Sequence, residues 1–242
     1  MIVRLLLAAL AAGLIAGLVM TPAQYTKIVP LILEAETYEN APAADDAAEA
    51  VAAHDHSAHD HGDEASVLGF GRLGNTILAN IAAGGGFALL LGGAALVLGL
   101  HFPRGREGVV RGLMLGAAAW FAVQLAPGWS LPPELPGFPY VDLMQRQVWW
   151  IATVALSAIG LYLMALRPEW LVKAVGVVLI VAPHAYGAPQ PADISSDVPA
   201  FLASEFTTAA LATTLFFWLL LGGLLGFFLS RVEAGDAAAR AG

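Results

Sequence analysis

Long apolar runs, separated by short polar segments, dominate the chain. An α-helix that crosses the hydrocarbon core of a bilayer needs roughly 20 such residues. The runs cover residues 5–20, which can extend past Pro22 towards residue 33, and residues 77–100, 112–126, 148–166, 170–186 and 206–229. The pattern predicts an all-α integral membrane protein, a bundle of about six transmembrane helices. The fifth run is the marginal one, because Lys173 interrupts it.

The first run also has a second interpretation. Residues 1–23 can be interpreted as a cleaved signal peptide, with Arg4 as its charged start and Ala23 just before the cut. We favour a retained helix. Removing the run would leave five spans without moving the other loops across the membrane. The predicted organisation is a first helix with its outer extension (1–33), a loop (34–75), the other five helices (76–232) and a tail (233–242).

The distribution of basic residues predicts the orientation. Lys and Arg stay preferentially on the cytoplasmic side of a membrane. With six spans, eight basic residues share the side of the two termini: Arg4, Arg104, Arg106, Arg111, Arg167, Lys173, Arg231 and Arg240. Only Lys27, Arg72 and Arg146 fall on the other side, together with 15 of the 19 acidic residues. Both termini are therefore expected in the cytoplasm, and the acidic loops outside it.

Composition agrees with a membrane protein and excludes several functions. Apolar residues make up 58% of the chain, charged residues 12%, and the mean hydropathy is +0.72. The net charge of -8 argues against nucleic-acid binding, and no GxxxxGK[ST] pattern for ATP occurs. The absence of cysteine excludes thiolate ligands, so nitrogen and oxygen atoms must hold any metal.

The loop 34–75 contains the most unusual segment, AHDHSAHDHGDE at residues 53–64. The loop is rich in Ala, Asp and Glu and poor in bulky apolar residues, which predicts disorder. Its histidines are His54, His56, His59 and His61. Neutral imidazoles at alternate positions can chelate Co, Ni, Cu or Zn in pairs, and the interleaved carboxylates attract a divalent cation. The segment is therefore predicted to capture metal weakly and exchangeably. An acidic linker that merely accumulated histidine is the plainer alternative.

Three of the runs carry a proline near the outer end: Pro22, Pro127 and Pro183. Each proline precedes a polar or Pro-rich segment and then another apolar run. Because proline removes a main-chain donor and clashes with the preceding turn, we expect three helical hairpins, each broken at its outer end. Non-helical backbone at membrane depth must be buried in protein or face water. The three ends are expected to converge on a polar mouth.

That mouth would gather the polar side chains beside the broken ends. We predict His184, Glu34, Glu36 and Glu134 as metal ligands, and Gln124, Gln190 and Glu205 as polar groups along the pathway. Ionisable groups within spans are costly and often mark a pathway. His184 is the central candidate, and its alternative role is an interfacial histidine bonded to a carbonyl that Pro183 frees.

Other residues have plainer interpretations. Arg146 is expected to neutralise Asp142 or Glu134, and Asn80 to bond between helices. Trp149 and Trp150 are typical of an aromatic belt at the membrane surface. The GxxxG spacings of Gly13 with Gly17 and of Gly222 with Gly226 predict close helix packing.

Several segments, in this order, resemble the CbtA-type cobalt transporter subunits: LILEAETYE, the histidine cluster, GFALLL, LAPGWSLPPELPG, RQVWW, PHAYGAPQP and FFWLLLGGLLG. The resemblance covers nearly the whole chain, and LPPELPG and GAPQP are its specific parts. It implies a component of cobalt uptake in a prokaryotic inner membrane, supplying cobalamin synthesis. It also implies a partner, a small single-span CbtB-type subunit with its own histidines.

The cargo and the remaining partners follow from these expectations. We expect no permanently bound cofactor, but a captured or transported divalent cation. Cobalt rests on the resemblance alone, and nickel stays open because nitrogen and oxygen ligands do not select cobalt. Membrane lipid is an expected partner, nucleic acid is not, and homo-oligomerisation stays open.

Three classes of protein compete with a transporter: a haem protein, an intramembrane enzyme, and a metal sensor or scaffold. His101 and His184 belong to opposite ends of the bundle, so they cannot share a haem. Ser157 is the only serine deep within a span, and no GxSxG surrounds it, so we expect no enzyme. A membrane metal sensor or scaffold that binds metal without moving it remains the alternative.

Overall fold

The computed structural model describes residues 2–39 and 71–241, which are almost wholly helical and contain no strand. The helices are α1 (Ile2–Lys27), α2 (Val29–Glu39), α3 (Gly71–Val97), α4 (Arg106–Trp120), α5 (Ala126–Ser130), α6 (Leu143–Leu166), α7 (Trp170–Tyr186) and α8 (Ala200–Ala241). A π-helical turn, Phe121–Leu125, joins α4 to α5. Arg106–Ser130 is therefore one continuous helical segment.

Five helical segments in the described ranges are long and apolar enough to cross a membrane. They are Ile2–Lys27, Gly71–Val97, Arg106–Ser130, Leu143–Leu166 and Ala200–Val232. The sixth, α7, has 17 residues, so it is about 25 Å long and shorter than a hydrocarbon core of about 30 Å. The all-α membrane bundle is thus confirmed, and the run predicted to be marginal is the short helix.

Glycines bring the helices together in three antiparallel pairs: α1 with α3, α4 with α8, and α6 with α7. A Cβ atom added to Gly84 of α3 would overlap the main-chain carbonyl of Gly13 in α1. The same holds for Gly112 of α4 against Gly222 of α8, and Gly160 of α6 lies against Gly176 of α7 in a similar way. Backbones approach this closely only where side chains are absent. The predicted packing role of the GxxxG glycines is confirmed.

The pairing differs from the predicted hairpins in two of three cases. α1 and α3 pair as expected, but α4 packs along α8 rather than α6, and α7 packs along α6 rather than α8. The physical reason lies in the glycine rows. Gly108, Gly112 and Gly116 repeat every four residues on α4 and fit Gly222 and Gly226 on α8. Close backbone packing therefore selects the partner, whichever loops connect the helices.

The prediction that prolines break the outer ends was also wrong. Pro22 lies inside α1 and Pro183 inside α7, and both helices continue past them. At Pro127 the segment passes through the π-helical turn and then stays helical to Ser130. Proline removes one main-chain hydrogen bond, while the remaining bonds and the packing of neighbouring helices preserve the helix. The first segment instead turns at Ile28, between α1 and α2.

Two apolar clusters help to define the two ends of the bundle. The larger runs along parts of α1, α3 and α8, and at one end of it lie Leu5 of α1, Phe102 of the α3–α4 connection and Leu229 of α8; we call this the terminal end. The smaller joins Ala35 of α2, Leu135 and Val198 of the connections, and Leu202 and Phe206 of α8. We call that opposite end, which contains α2 and segments 131–142 and 187–199, the polar-loop end.

The predicted loop 34–75 is shorter at both ends than the sequence suggested. Residues 34–39 belong to α2 and residues 71–75 to α3. Both helices begin or end at the polar-loop end, where Arg72 of α3 bonds Glu36 of α2 at 3.4 Å. The four histidines of the loop, His54, His56, His59 and His61, lie outside the described residues.

Candidate functional site

A cavity of about 230 Å³ opens at the polar-loop end. Its walls come from the start of α6, the start of α8 and the two Pro-rich connections that follow α5 and α7. Most of the lining is apolar, with several prolines. Its polar groups are Ser130, Glu134, Arg146, Gln190 and Thr207. A largely apolar cavity with a few convergent polar groups is the usual form of a small-ligand site.

Glu134 and Arg146 form an ion pair in the cavity wall. Asp142 fixes the start of α6, because its carboxylate accepts the Gln145 main-chain N–H at 3.0 Å and so caps the helix. Arg146 consequently lies in the first turn of α6, next to the connection that carries Glu134. This confirms that Arg146 neutralises Glu134, one of its two expected partners. The guanidinium therefore occupies the place where a cation would meet that carboxylate.

His184 lies one hydrogen bond behind the cavity wall. Its Nδ1 atom is 2.8 Å from the hydroxyl oxygen of Ser130, which itself lines the cavity. The imidazole also meets the Trp149 ring edge to face, with centroids 5.9 Å apart. Three helices thus position it: α7 carries it, α5 bonds it and α6 packs on it. Since Ser130 occupies Nδ1, His184 would bind a metal through Nε2.

The amides and Glu205 are only partly brought to this cavity. Gln190 lines the wall, and its amide donates to the Ala188 carbonyl at 3.3 Å. Gln124 is half-buried in the π-helical turn and is not part of the wall. Glu205 is exposed on α8, midway between the lining residues Ala203 and Thr207. At about 100° per residue it therefore faces away from the cavity.

The two glutamates of α2 lie elsewhere on the same end. Glu34 is exposed, and Glu36 is half-buried and ion-paired with Arg72. Neither lines the cavity. Glu134 and Gln190 are thus brought together, with His184 behind Ser130, whereas Glu34, Glu36, Gln124 and Glu205 are not part of that group.

No three His, Asp or Glu side chains lie close enough to hold a metal ion among residues 2–39 and 71–232, whose side chains the structure describes. The cavity offers one carboxylate, one amide and two hydroxyls, with an imidazole behind it. Such nitrogen and oxygen donors suit a borderline divalent cation. So few side-chain ligands favour weak, exchangeable binding of a metal ion over permanent binding. The complete set of metal ligands stays a prediction.

Two side chains next to His184 were not anticipated. Ser130 follows Pro127 by three residues, and only the fold shows that it bonds a histidine 54 positions later in the chain. Trp149 was expected in an aromatic belt, but it is buried and contacts His184, whereas Trp150 is exposed. The contrast between the two tryptophans follows from the helix: Trp149 shares the buried face of α6 with Thr153 and Ser157.

Comparison with known proteins supports the resemblance seen in the sequence. The family model of the probable cobalt transporter subunit (CbtA) matches residues 2–230, which is nearly the whole chain of 242 residues. No curated protein and no solved structure gives a significant match. With a multi-pass helical bundle and a match of that extent, the chain belongs to the CbtA family, whose description is probable cobalt transporter subunit.

Proposed function

We propose that this protein is the membrane component of an uptake system for a divalent transition metal, with cobalt as cargo. In this proposal the histidine-rich segment His54–His61 captures the metal. The cavity at the polar-loop end receives it, and His184 passes it into the bundle. No resident cofactor takes part.

One observation carries the proposal: the cavity lies at the end of the bundle where α2 and α3, the helices that flank the histidine-rich segment in the sequence, come together. α2 ends at Glu39 and α3 begins at Gly71, and Glu36 and Arg72 connect the two helices there. Gly137, in the connection that borders the cavity, lies next to Glu39. Metal held by a tethered segment is supplied at a raised local concentration to any site near the tether.

The charge pattern supports an orientation with this end outside. In the six-span topology, eight of the 11 basic residues fall on the side of the two termini, and 15 of the 19 acidic residues fall on the opposite side. We therefore propose a prokaryotic inner membrane with cytoplasmic termini and the histidine-rich segment outside. The acidic side would attract divalent cations before they reach the cavity.

The ion pair in the wall suggests how the cation enters. Glu134 is neutralised by Arg146, so an arriving divalent cation would compete with the guanidinium for the carboxylate. A cation of higher charge density can win that competition while it keeps part of its hydration shell. The imidazole of His184 would then replace a water molecule. Release stays easy, because few protein ligands hold the ion.

The family description of a subunit implies a partner. We propose a small single-span CbtB-type subunit with histidines, in addition to the surrounding lipid. The direct test measures cobalt and nickel accumulation in uptake-deficient cells that express this chain alone, with that partner, or neither. Accumulation that depends on the chain supports the proposal. Confirmed membrane insertion without accumulation in any combination would indicate a metal sensor or scaffold instead.

Glu134→Gln is expected to lower the initial rate of cobalt uptake about three- to tenfold. The amide keeps the shape of the side chain but removes its negative charge, which leaves the Arg146 guanidinium to repel a cation. Glu107→Gln is the matched control, because Glu107 is also paired with an arginine, Arg111 at 2.6 Å, but lies in the first turn of α4 at the terminal end. Equal rates for both variants would remove Glu134 from the entry site.

A further inference from the structure

α6 carries a buried polar face that the entry site does not use. Trp149, Thr153, Ser157 and Gly160 form its buried stripe, and Thr153 and Ser157 are both fully buried. Thr153 satisfies its hydroxyl by donating to the Trp149 carbonyl at 2.9 Å. Ser157, one turn further on, has no such bond, and its hydroxyl has no partner in the described part of the chain.

An orphaned hydroxyl at this depth needs an explanation. Buried polar groups nearly always find a partner, and an unsatisfied group is especially costly in hydrocarbon, where no water can replace the missing bond. The indole N–H of Trp149 on the same stripe is likewise buried without a partner. Serine in a helix can return its hydroxyl to the carbonyl four residues earlier, as Thr153 does here. Ser157 does not, so its oxygen remains available.

A main-chain oxygen lies at the same depth on the neighbouring helix. The antiparallel register pairs Gly160 with Gly176 and Trp149 with His184, so Ser157 lies at the level of Val178 and Leu179 of α7. Pro183 has no N–H, and the carbonyl of Leu179, four residues earlier, therefore lacks its usual helical donor. The hydroxyl oxygen of Ser157 and the carbonyl oxygen of Leu179, both able to bind a cation, thus lie at the same level of the α6–α7 interface.

The α6–α7 interface is also the one best suited to open. α7 packs chiefly against α6, whereas α8 contacts α1, α3 and α4. The α4–α8 pair is held in backbone contact by glycines in three turns of α4, whereas the α6–α7 pair has one such contact, Gly160 with Gly176, one turn beyond Ser157. α6 also contacts the π-helical turn, and such turns are frequent at functional sites.

We propose that the cation travels along the α6–α7 interface, and that Ser157 is a binding position for it at mid-depth. The hydroxyl of Ser157 and the carbonyl of Leu179 would replace part of the hydration shell after His184 has bound the ion. Hydroxyl and carbonyl oxygens are weak ligands for a divalent transition metal, so the ion passes on readily. This inference rests on the proposed function and adds a route to it.

The natural absence of cysteine allows a direct test of this route. Single variants Ser157→Cys and Ala158→Cys would be reacted, in membrane vesicles, with a small cationic thiosulfonate reagent. Ala158 is the next residue of α6 and is exposed on the surface of the helix bundle. We expect the cysteine at 157 to react at least about tenfold faster than the one at 158, because thiolates form in water and not in lipid. Equal or slower reaction at 157 would overturn the route.

Uptake measurements with a matched pair provide the second arm. Ser157→Ala removes the free hydroxyl, and Thr153→Val removes a satisfied one from the same buried face. We expect Ser157→Ala to lower cobalt uptake about tenfold at unchanged protein level, and Thr153→Val to change it less than twofold. If Ser157→Ala transports normally and melts at a higher temperature, the serine was only an unsatisfied group and the proposal fails.

The two arms separate this proposal from the proposed function. Failure of the unmodified chain to accumulate cobalt would overturn the transport function. The labelling experiment compares the reactivity of two cysteine variants and requires no transport. Its result therefore tests the α6–α7 route independently of the transport function. Normal uptake by the unmodified chain, together with an unreactive cysteine at 157, would reject the route and leave the transport function in place.

Discussion

His184→Ala is expected to lower cobalt uptake about tenfold or more at every cobalt concentration. Within residues 2–39 and 71–232, the imidazole would be the only nitrogen ligand near the cavity, and neighbouring side chains cannot replace it, because Ser130 is bonded to it and Trp149 packs against it. Loss of residues that merely orient a metal ligand costs 10–100-fold, so loss of the ligand itself should cost at least as much. Initial uptake rates over a range of cobalt concentrations measure the effect as a lowered maximal rate.

Replacing His54, His56, His59 and His61 by alanine should act differently. Capture raises the local metal concentration but takes no part in passage, so the variant is expected to need several-fold more cobalt for half-maximal uptake and to reach the normal maximal rate. His101→Ala, at the terminal end, is the control for removing a histidine and should transport normally. An equal fall in maximal rate for the loop variant and for His184→Ala would contradict this division between capture and passage.

The helices could be predicted because a single physical requirement determines them. A segment that spans hydrocarbon must satisfy its own main-chain groups, so each apolar run becomes a helix whatever its neighbours are. Residues 77–100 and 206–229 lie, almost in full, within α3 and α8 for this reason. Close packing at the glycines was equally predictable, because Gly222 and Gly226 lie four positions apart and therefore share one face of a helix.

Partner choice could not be predicted, because it depends on the fit between two surfaces. The row Gly108, Gly112 and Gly116 had to be matched with Gly222 and Gly226, more than 100 residues further along the chain. Connectivity suggested hairpins between neighbouring runs and gave the wrong partner for α4. The prediction that the prolines break the helices was wrong for a related reason. Proline destabilises a helix only locally, and the packing along the rest of α1 and α7 outweighs that loss.

The candidate site was predictable in type but not in arrangement. Glu134, Gln190 and His184 were identified from polar residues beside apolar runs, and the first two do line the cavity. The orientation of Glu205 away from the cavity follows from where α8 packs, and the ion pair of Glu36 with Arg72 follows from where α2 packs beside α3. The local sequence predicts neither the orientation of Glu205 nor the Glu36–Arg72 ion pair. Ser130 and Trp149 gain their importance only from the approach of α7.

Gly84→Ala is expected to destabilise the bundle severely. A methyl group at this position would overlap the Gly13 carbonyl oxygen, and it would lie 3.1 Å from both the nitrogen and the Cα atom of Gly17. These are backbone atoms of α1, so no side chain can rotate away and the two helices must separate. Overpacking of this kind costs about 1–3 kcal/mol, and a rigid backbone contact belongs at the upper end of that range. Thermal unfolding in detergent should show a clearly lower midpoint and less folded protein in the membrane.

Gly86→Ala, two residues further along α3, supplies the matched control. No atom lies within 4 Å of the added methyl group there, and alanine stabilises a helix interior by about 0.5–1 kcal/mol relative to glycine. The control should therefore unfold at the same temperature as the unmodified chain or slightly above it, since the helix propensity is the same in both variants and only the contact with α1 differs. Similar midpoints for the two variants would mean that α1 and α3 are not in backbone contact at Gly13 and Gly84. In that event the glycines could not be the reason that this bundle assembles in pairs.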